Sequence, residues 1–169
     1  KGREMRLTHI TDTDAARLNK PTNDPELICD PLGYPRIIDR GTRPFEVFQL
    51  PNVVLFHHSW HETWQKIWMD GRLLPKKPID PAWIGYSVGK WVGDTLVVDT
   101  NGVDERAWIF GSNYHTLDME HQARWRRIDH NTLQLNQTLK DPEIWTATIQ
   151  PPPTLFQLYP SLEIDILPC

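Results

Sequence analysis

The chain has 169 residues, a formal net charge of −4 and two cysteines. This length suffices for one domain that buries most of its apolar surface, and the negative charge argues against a general nucleic-acid-binding protein. No apolar run approaches the roughly 18 residues of a membrane-spanning helix. Because the chain opens with Lys1, Gly2 and Arg3, we expect that a signal peptide was removed or never present.

Residues 1–44 contain many helix and strand breakers, and a short helix is predicted only at Thr13–Asn19. The remainder of this segment is too apolar for a free linker, with Leu27, Ile28, Tyr34, Ile37 and Ile38. It therefore predicts an extended, Pro-rich N-terminal arm packed on a domain formed by residues 45–169.

The domain begins with a predicted strand at Phe45–Gln49, followed by an alternating run at Val53–Arg72. This run is long enough for two strands joined by a bulge near Ser59–Glu62. A helix at Trp60–Met69 is the alternative, although it would lack an apolar stripe.

The strongest local signal lies at Ile84–Asp104, where two alternating runs flank Val92, Gly93 and Asp94. Such a pattern predicts a β-hairpin. Further strands are predicted at Glu120–Ile128, Thr132–Leu139, Ile144–Ile149, Leu155–Leu158 and Leu162–Ile166. The sequence thus predicts an all-β antiparallel barrel or sandwich with few short helices. The predicted core includes Val88, Leu96, Val98, Trp125, Leu133 and Leu135.

Four motifs carry a family resemblance: DPLGYPR (Asp30–Arg36), MDGRLLP (Met69–Pro75), DPAWIGYSVGKWVGDTLVVDT (Asp80–Thr100) and RRID (Arg126–Asp129). They resemble an uncharacterised family of secreted or periplasmic proteins of environmental bacteria. The resemblance implies a lipocalin- or calycin-like β-barrel and a periplasmic or secreted location. It also implies a disulfide between Cys29 and Cys169.

The chain departs from this family at the positions around His115. Family members carry a His-Ser-Asp run and a further acidic residue there, whereas this chain has Leu117 and Ala123 at the two acidic positions. If those acids are functional in the relatives, this protein differs in activity or has none.

Three histidines, His57, His58 and His61, invite a metal interpretation because imidazoles are common ligands of zinc, copper and iron. On one strand, however, His57 and His58 face opposite sides and His57 lies about 13 Å from His61. Histidines packed in or beside an aromatic core are the alternative, and we predict neither a metal nor a cofactor.

Acid–base chemistry is a second interpretation, with His58, His115 and Asp104 as candidate catalytic residues for a proton transfer. Turn formation is the alternative role for Asp104. The predicted ligand-binding residues around the same barrel mouth are Trp60, His61, Trp64, Tyr86, Trp108 and Arg72.

Two functions remain from the sequence. The first is a secreted β-barrel that binds an apolar or aromatic small molecule, with or without cofactor-independent lyase- or isomerase-type chemistry. The second is a non-catalytic envelope protein that acts as a subunit or accessory factor of a larger assembly and binds protein partners.

Overall fold

The structure is a computed structural model that describes residues 24–39, 43–76, 80–109 and 113–165. The predicted helix at residues 13–19 and Cys169 of the predicted disulfide lie outside these residues. Within them, no helix is long and apolar enough to cross a membrane.

In the described part of the chain, eight strands form one sheet in the order of the sequence, β1 to β8. A 3₁₀ helix (Pro25–Ile28) and α1 (Arg36–Asp39) precede it. The strands are β1 (Phe45–Leu50), β2 (Val53–His58), β3 (Thr63–Trp68), β4 (Tyr86–Val92), β5 (Thr95–Asn101), β6 (Glu120–Arg127), β7 (Thr132–Lys140) and β8 (Thr154–Gln157).

The sheet curls into a half-barrel, so the all-β, barrel-like prediction is confirmed. The rings of Phe45 in β1 and Phe156 in β8 approach to 5.1 Å between centroids, yet the described parts of these two strands are not paired.

The predicted antiparallel arrangement needs one correction, because β3 and β4 are parallel through Ile67–Ser87 and Trp68–Val88. The long connection from β3 to β4 makes this parallel pairing feasible.

The predicted central hairpin is confirmed as β4 and β5, paired from Tyr86–Asn101 to Val92–Thr95. Gly93 opens its two-residue turn with φ of 61°, a conformation that costs glycine no side-chain clash. Gly89 lies on the inner face, where an added Cβ would come within 2.7 Å of Ile67 and Met69. Close packing of β3 against β4 therefore depends on this glycine.

Several predicted details were wrong. Ser59–Glu62 is the turn of a β2–β3 hairpin, not a bulge, and the alternative helix at Trp60–Met69 is a strand. Residues 144–149 form no strand, and Ile149 makes an isolated bridge with Leu139. Val88 is half-buried because the register pairs it with Asp99 on the outer face.

The concave face of the sheet is covered by residues 32–38 of the chain itself. Leu32, Tyr34, Ile37 and Ile38 are buried there with Leu96, Val98, Trp125 and Leu135 of the sheet. Tyr34 packs edge-on against His121, with 4.7 Å between ring centroids. The interior of the half-barrel is thus a packed core.

An ionic cluster fastens this covering segment. Arg36 is 1% exposed and donates two hydrogen bonds of 2.6 Å to the carboxylate of Asp24 and one of 2.9 Å to Glu26. Glu26 in turn accepts a bond from Arg43. A buried guanidinium is tolerated only when such partners replace its water.

We expect Arg36→Met to lower the free energy of unfolding by about 3 kcal/mol, because it leaves the Asp24 and Glu26 carboxylates without their buried partner. Arg126→Met is the matched control, since Arg126 pairs with Asp94 where both side chains are more than half exposed; its effect should stay within about 0.5 kcal/mol. Urea denaturation measures both. Equal stability of the two variants would contradict the fastening role of Arg36.

Candidate functional site

The β2–β3 hairpin places the predicted histidines in three different environments. His57 lies on the outer face, where its ring stacks on Trp64 at 4.2 Å between centroids and its Nδ1 atom is 3.6 Å from Glu46. His58 points inward and contacts the rings of Phe45 and Phe56. His61 lies in the turn. The alternation of a strand explains the first two placements.

The turn itself is strained. His61 and Glu62 both have φ of 50°, and the Thr63 amide donates to the Trp60 carbonyl at 3.2 Å. Two consecutive positive φ values are usual for glycine and asparagine and costly for these side chains. The His61 ring stacks on Trp60 at 4.9 Å, and the Arg43 guanidinium lies 4.0 Å from the Trp60 ring.

Five consecutive side chains of this hairpin carry a shielded polar atom that makes no hydrogen bond in the described part of the chain. They are Nε2 of His57, Nε2 of His58, Oγ of Ser59, Nε1 of Trp60 and Nε2 of His61. Unsatisfied polar atoms together with backbone strain are typical of functional sites. Sequence analysis selected the histidines and Trp60, but it missed the strain because the turn contains neither glycine nor proline.

Inside the half-barrel, two histidines are held neutral. Burial lowers the pKa of His58 to about 4, with a smaller contribution from His57. Burial also lowers the pKa of His121 to about 4, although its hydrogen bond to Gln137 opposes the shift. Nε2 of His121 is the donor of that 2.9 Å bond, because the amide oxygen can only accept. These rings are part of the core.

The predicted catalytic residues His115 and Asp104 are close enough for each to influence the pKa of the other through its charge, but their hydrogen bonds go to other residues. His115 is buried, its Nδ1 bonds the Thr116 carbonyl at 2.9 Å, and burial lowers its pKa. Asp104 binds the Arg106 guanidinium at 2.7 Å, and this bond holds the pKa of its carboxyl below the usual range. Trp108 is buried, with the Arg36 guanidinium 6.0 Å from its ring.

Arg72 and Tyr86 lie on the outer face beside β3. Arg72 binds Asp70 at 2.6 Å, donates to the Tyr86 hydroxyl at 3.0 Å and lies 3.7 Å from the Trp68 ring. The predicted ligand-binding residues therefore divide among the outer face, the hairpin turn and the core. Among the described residues, no hydrogen bond or ring contact joins His58, Trp60 or His61 to the other predicted site residues His115, Asp104 and Trp108.

An aromatic surface on the outer face of β1–β3 is the most accessible of these groups. Trp64 is 47% and Phe48 43% exposed, and their rings stack at 5.8 Å between centroids. With His57 they form a three-ring stack, which we call the outer stack. The faces of neighbouring rings cover one another, and the exposed parts of Trp64 and Phe48 face solvent.

A separate surface cleft of about 360 Å³ lies near the end of the β6–β7 pair. Its walls comprise Asp118, Glu120, Lys140, Asp141, Pro142, Trp145 and residues 146–148. The carboxylate of Asp141 already has hydrogen-bond partners, because it accepts bonds from the amide and the hydroxyl of Thr116 at 2.7 and 2.9 Å. Sequence analysis did not select these residues.

No group of three metal-ligating side chains is arranged to hold an ion in the part of the chain that the structure describes. Comparisons with protein-family models, curated proteins and solved structures found no match. The functional argument therefore depends on the geometry of this chain alone.

Acidification should destabilise the protein through the buried histidines. Their pKa values are lowered in the fold, so the unfolded chain takes up protons first as the pH falls from about 6.5 to about 4. For each histidine, the free energy of unfolding should be about 3 kcal/mol higher above this pH interval than below it. Within the interval this contribution declines as the pH falls. We expect full stability near pH 7 and a steep loss towards pH 4, measured by urea denaturation at a series of pH values.

His58→Phe should make this pH dependence shallower, because phenylalanine fits among the same rings and binds no proton. His130→Gln is the control, since His130 is exposed and its replacement should leave the profile unchanged. An identical profile for His58→Phe and the unmodified protein would show that His58 is not buried as described.

Proposed function

We propose that this protein is a non-catalytic binding subunit that docks on another macromolecule through the outer stack. The observation that carries the proposal is the position of the aromatic rings. Phe48, His57 and Trp64 line the outer surface of β1–β3, while the concave face of the sheet is packed with the chain's own side chains.

The chemistry of the outer stack suits a protein partner. Tryptophan, tyrosine and arginine are enriched among the residues that dominate protein–protein binding, and on the same outer face Arg72 contacts both Trp68 and Tyr86. Stacking also restricts the rotamers of Trp64 and His57 before any partner arrives. Less conformational entropy is then lost on binding.

The strained hairpin turn supports the same surface. Trp60 and His61 precede Trp64 by four and three residues in the chain, and Nε1 of Trp60 and Nε2 of His61 make no hydrogen bond within the described residues. These atoms are shielded from solvent, so the turn offers backbone strain beside the stack, and these two atoms are not accessible to a partner. Strain of this kind is often stored at functional sites.

Residence outside the cytoplasm is part of the proposal. The family resemblance implies export, and the disulfide that it implies between Cys29 and Cys169 would be retained in an oxidising compartment. Intact mass with and without reduction detects that bond.

A test needs variants that remove accessible rings without disturbing the core. Trp64→Ser removes the centre of the outer stack, and Trp91→Ser is the matched control because Trp91 is 51% exposed near the β4–β5 turn. A protein captured from extracts of the producing cells would be identified, purified and titrated against all three proteins. We expect Trp64→Ser to weaken its binding at least about tenfold and Trp91→Ser to leave it unchanged. Equal effects of both substitutions would overturn the proposal.

The small-molecule function is a second candidate, and the surface cleft favours it. Its volume of about 360 Å³ lies in the range of small-ligand sites, and Trp145 supplies an aromatic wall. Three carboxylates, of Asp118, Glu120 and Asp141, outnumber the one ammonium, of Lys140, in its wall, so an aromatic molecule with a positive charge fits best. We propose no proton transfer there, because His115 is not among the wall residues.

The cleft is tested with tryptophan fluorescence and a panel of aromatic amines, matched with neutral and acidic analogues. We expect amines alone to change the emission of the unmodified protein, and Trp145→Phe to lose most of that change. No response to any compound, or an equal response to the acids, would remove the cleft as a ligand site.

A further inference from the structure

Strand β1 is an unusual sheet edge. The described sheet ends at β1 on one side and at β8 on the other, and β1 is the longer edge, with six residues against four. Val47, Phe48 and Leu50 are each between 43% and 50% exposed. Edge strands normally carry lysine, proline or a bulge that prevents pairing with another chain, whereas Glu46 is the sole charged residue within β1.

We propose that the β1 edge pairs antiparallel with β1 of a second copy of this chain, so that two half-barrels share one continuous sheet. This inference rests on the proposed function, because it names the first partner of the outer stack. Within the described residues, the outer edge of β1 pairs with no other strand, and the N–H and C=O groups of such an edge can supply the hydrogen bonds of a strand pair.

The symmetry of a dimer restricts the register. A two-fold axis normal to the sheet keeps both outer faces on the same side, so every residue must oppose one that points to the same face. Phe48 points outward with Glu46 and Leu50, whereas Val47 and Gln49 point inward, as their pairing with β2 shows. A β1 residue must therefore face its own copy on the axis.

Charge and apolar contact together favour Phe48 on the axis. In that register Glu46 lies opposite Leu50 and Val47 opposite Gln49, so no like charges meet. An axis at Glu46 would bring two carboxylates together, which destabilises a strand pair. With Phe48 on the axis, the two Phe48 rings meet and join the outer stacks of both copies into one aromatic surface.

The edge carries little net charge within each copy. Glu46 is the one carboxylate of β1, and Lys66 lies on the same outer face, in the row of paired residues that runs from Phe48 through Leu55. The surface that meets the second copy is therefore close to neutral, although the whole chain carries −4. A partner strand rich in acids or bases would lack this match.

The experiment measures the mass of the full chain by sedimentation equilibrium over a wide concentration range. We expect the unmodified protein to reach twice the chain mass and Phe48→Lys to remain a monomer at every concentration. Leu155→Lys is the matched control, because Leu155 is an outward, 57% exposed residue of the other edge strand, β8; this variant should dimerise as the unmodified protein does. Circular dichroism checks that both variants fold.

A second variant tests the register directly. Residues opposite each other in an antiparallel pair have Cα atoms about 4.5–5.5 Å apart, a separation that a disulfide can span. Phe48→Cys should therefore form a covalent dimer that reducing agent dissolves, whereas Leu155→Cys should not.

A monomeric unmodified protein, or dimerisation lost in Leu155→Lys but kept in Phe48→Lys, would overturn the β1 dimer. Neither result touches the dependence of another partner on Trp64, which the capture experiment measures separately. Conversely, a dimer that forms while no partner requires Trp64 would refute the docking function and leave the β1 pairing intact.

Discussion

The buried charge of Arg36 is the constraint on which the rest of the structure depends. An open, curled sheet exposes a concave apolar face, and this face must be covered for the domain to be stable. The covering segment is held by Arg36, whose guanidinium binds Asp24 and Glu26 while its neighbours Ile37 and Ile38 enter the core. Loss of the ion cluster would affect the hydrophobic interior as well as the surface.

Because the covering segment fills the half-barrel, polar residues on the inner face have structural roles. Gln65 donates to Ser87 at 3.1 Å and Ser87 shares a 2.7 Å bond with Thr100, which gives buried hydroxyl and amide groups partners in place of water. His121 donates to Gln137 in the same way, although Nδ1 of His121 has no partner within the described residues. The interior that a barrel prediction assigns to a ligand is thus occupied by a hydrogen-bonded core.

The proposed function therefore assigns recognition to the outer surface of β1–β3. This part of the sheet combines an edge strand of low charge, a three-ring stack and a strained turn with unsatisfied polar atoms. Each feature has a cost for an isolated molecule, through exposed apolar area, an unpaired backbone edge or backbone strain. Their coincidence on three adjacent strands is what a docking surface would explain.

Local pattern determined much of the sheet. Alternation and Gly93 predicted the β4–β5 hairpin, and the inward positions of Leu96, Val98 and Leu135 followed from the two-residue period of a strand. The β2–β3 reversal was not predictable in this way, because its turn uses His61 and Glu62 at positive φ in place of glycine. The face of Val88 was also missed, because β4 alternates Tyr86, Val88 and Lys90 with Ser87, Gly89 and Trp91. Neither face is clearly apolar until pairing with β5 decides which one is buried.

What the sequence by itself determined is the class of the fold, since periodicity and turn residues act over a few neighbouring positions. Only the tertiary structure decided that Arg36, a charged residue in a breaker-rich segment, lies buried under the sheet. It likewise decided that Trp64 and Tyr86 face outward while Trp108 is buried. Those outcomes depend on contacts between segments that are distant in the chain, and residue type alone carries no information on which carboxylates or rings will meet.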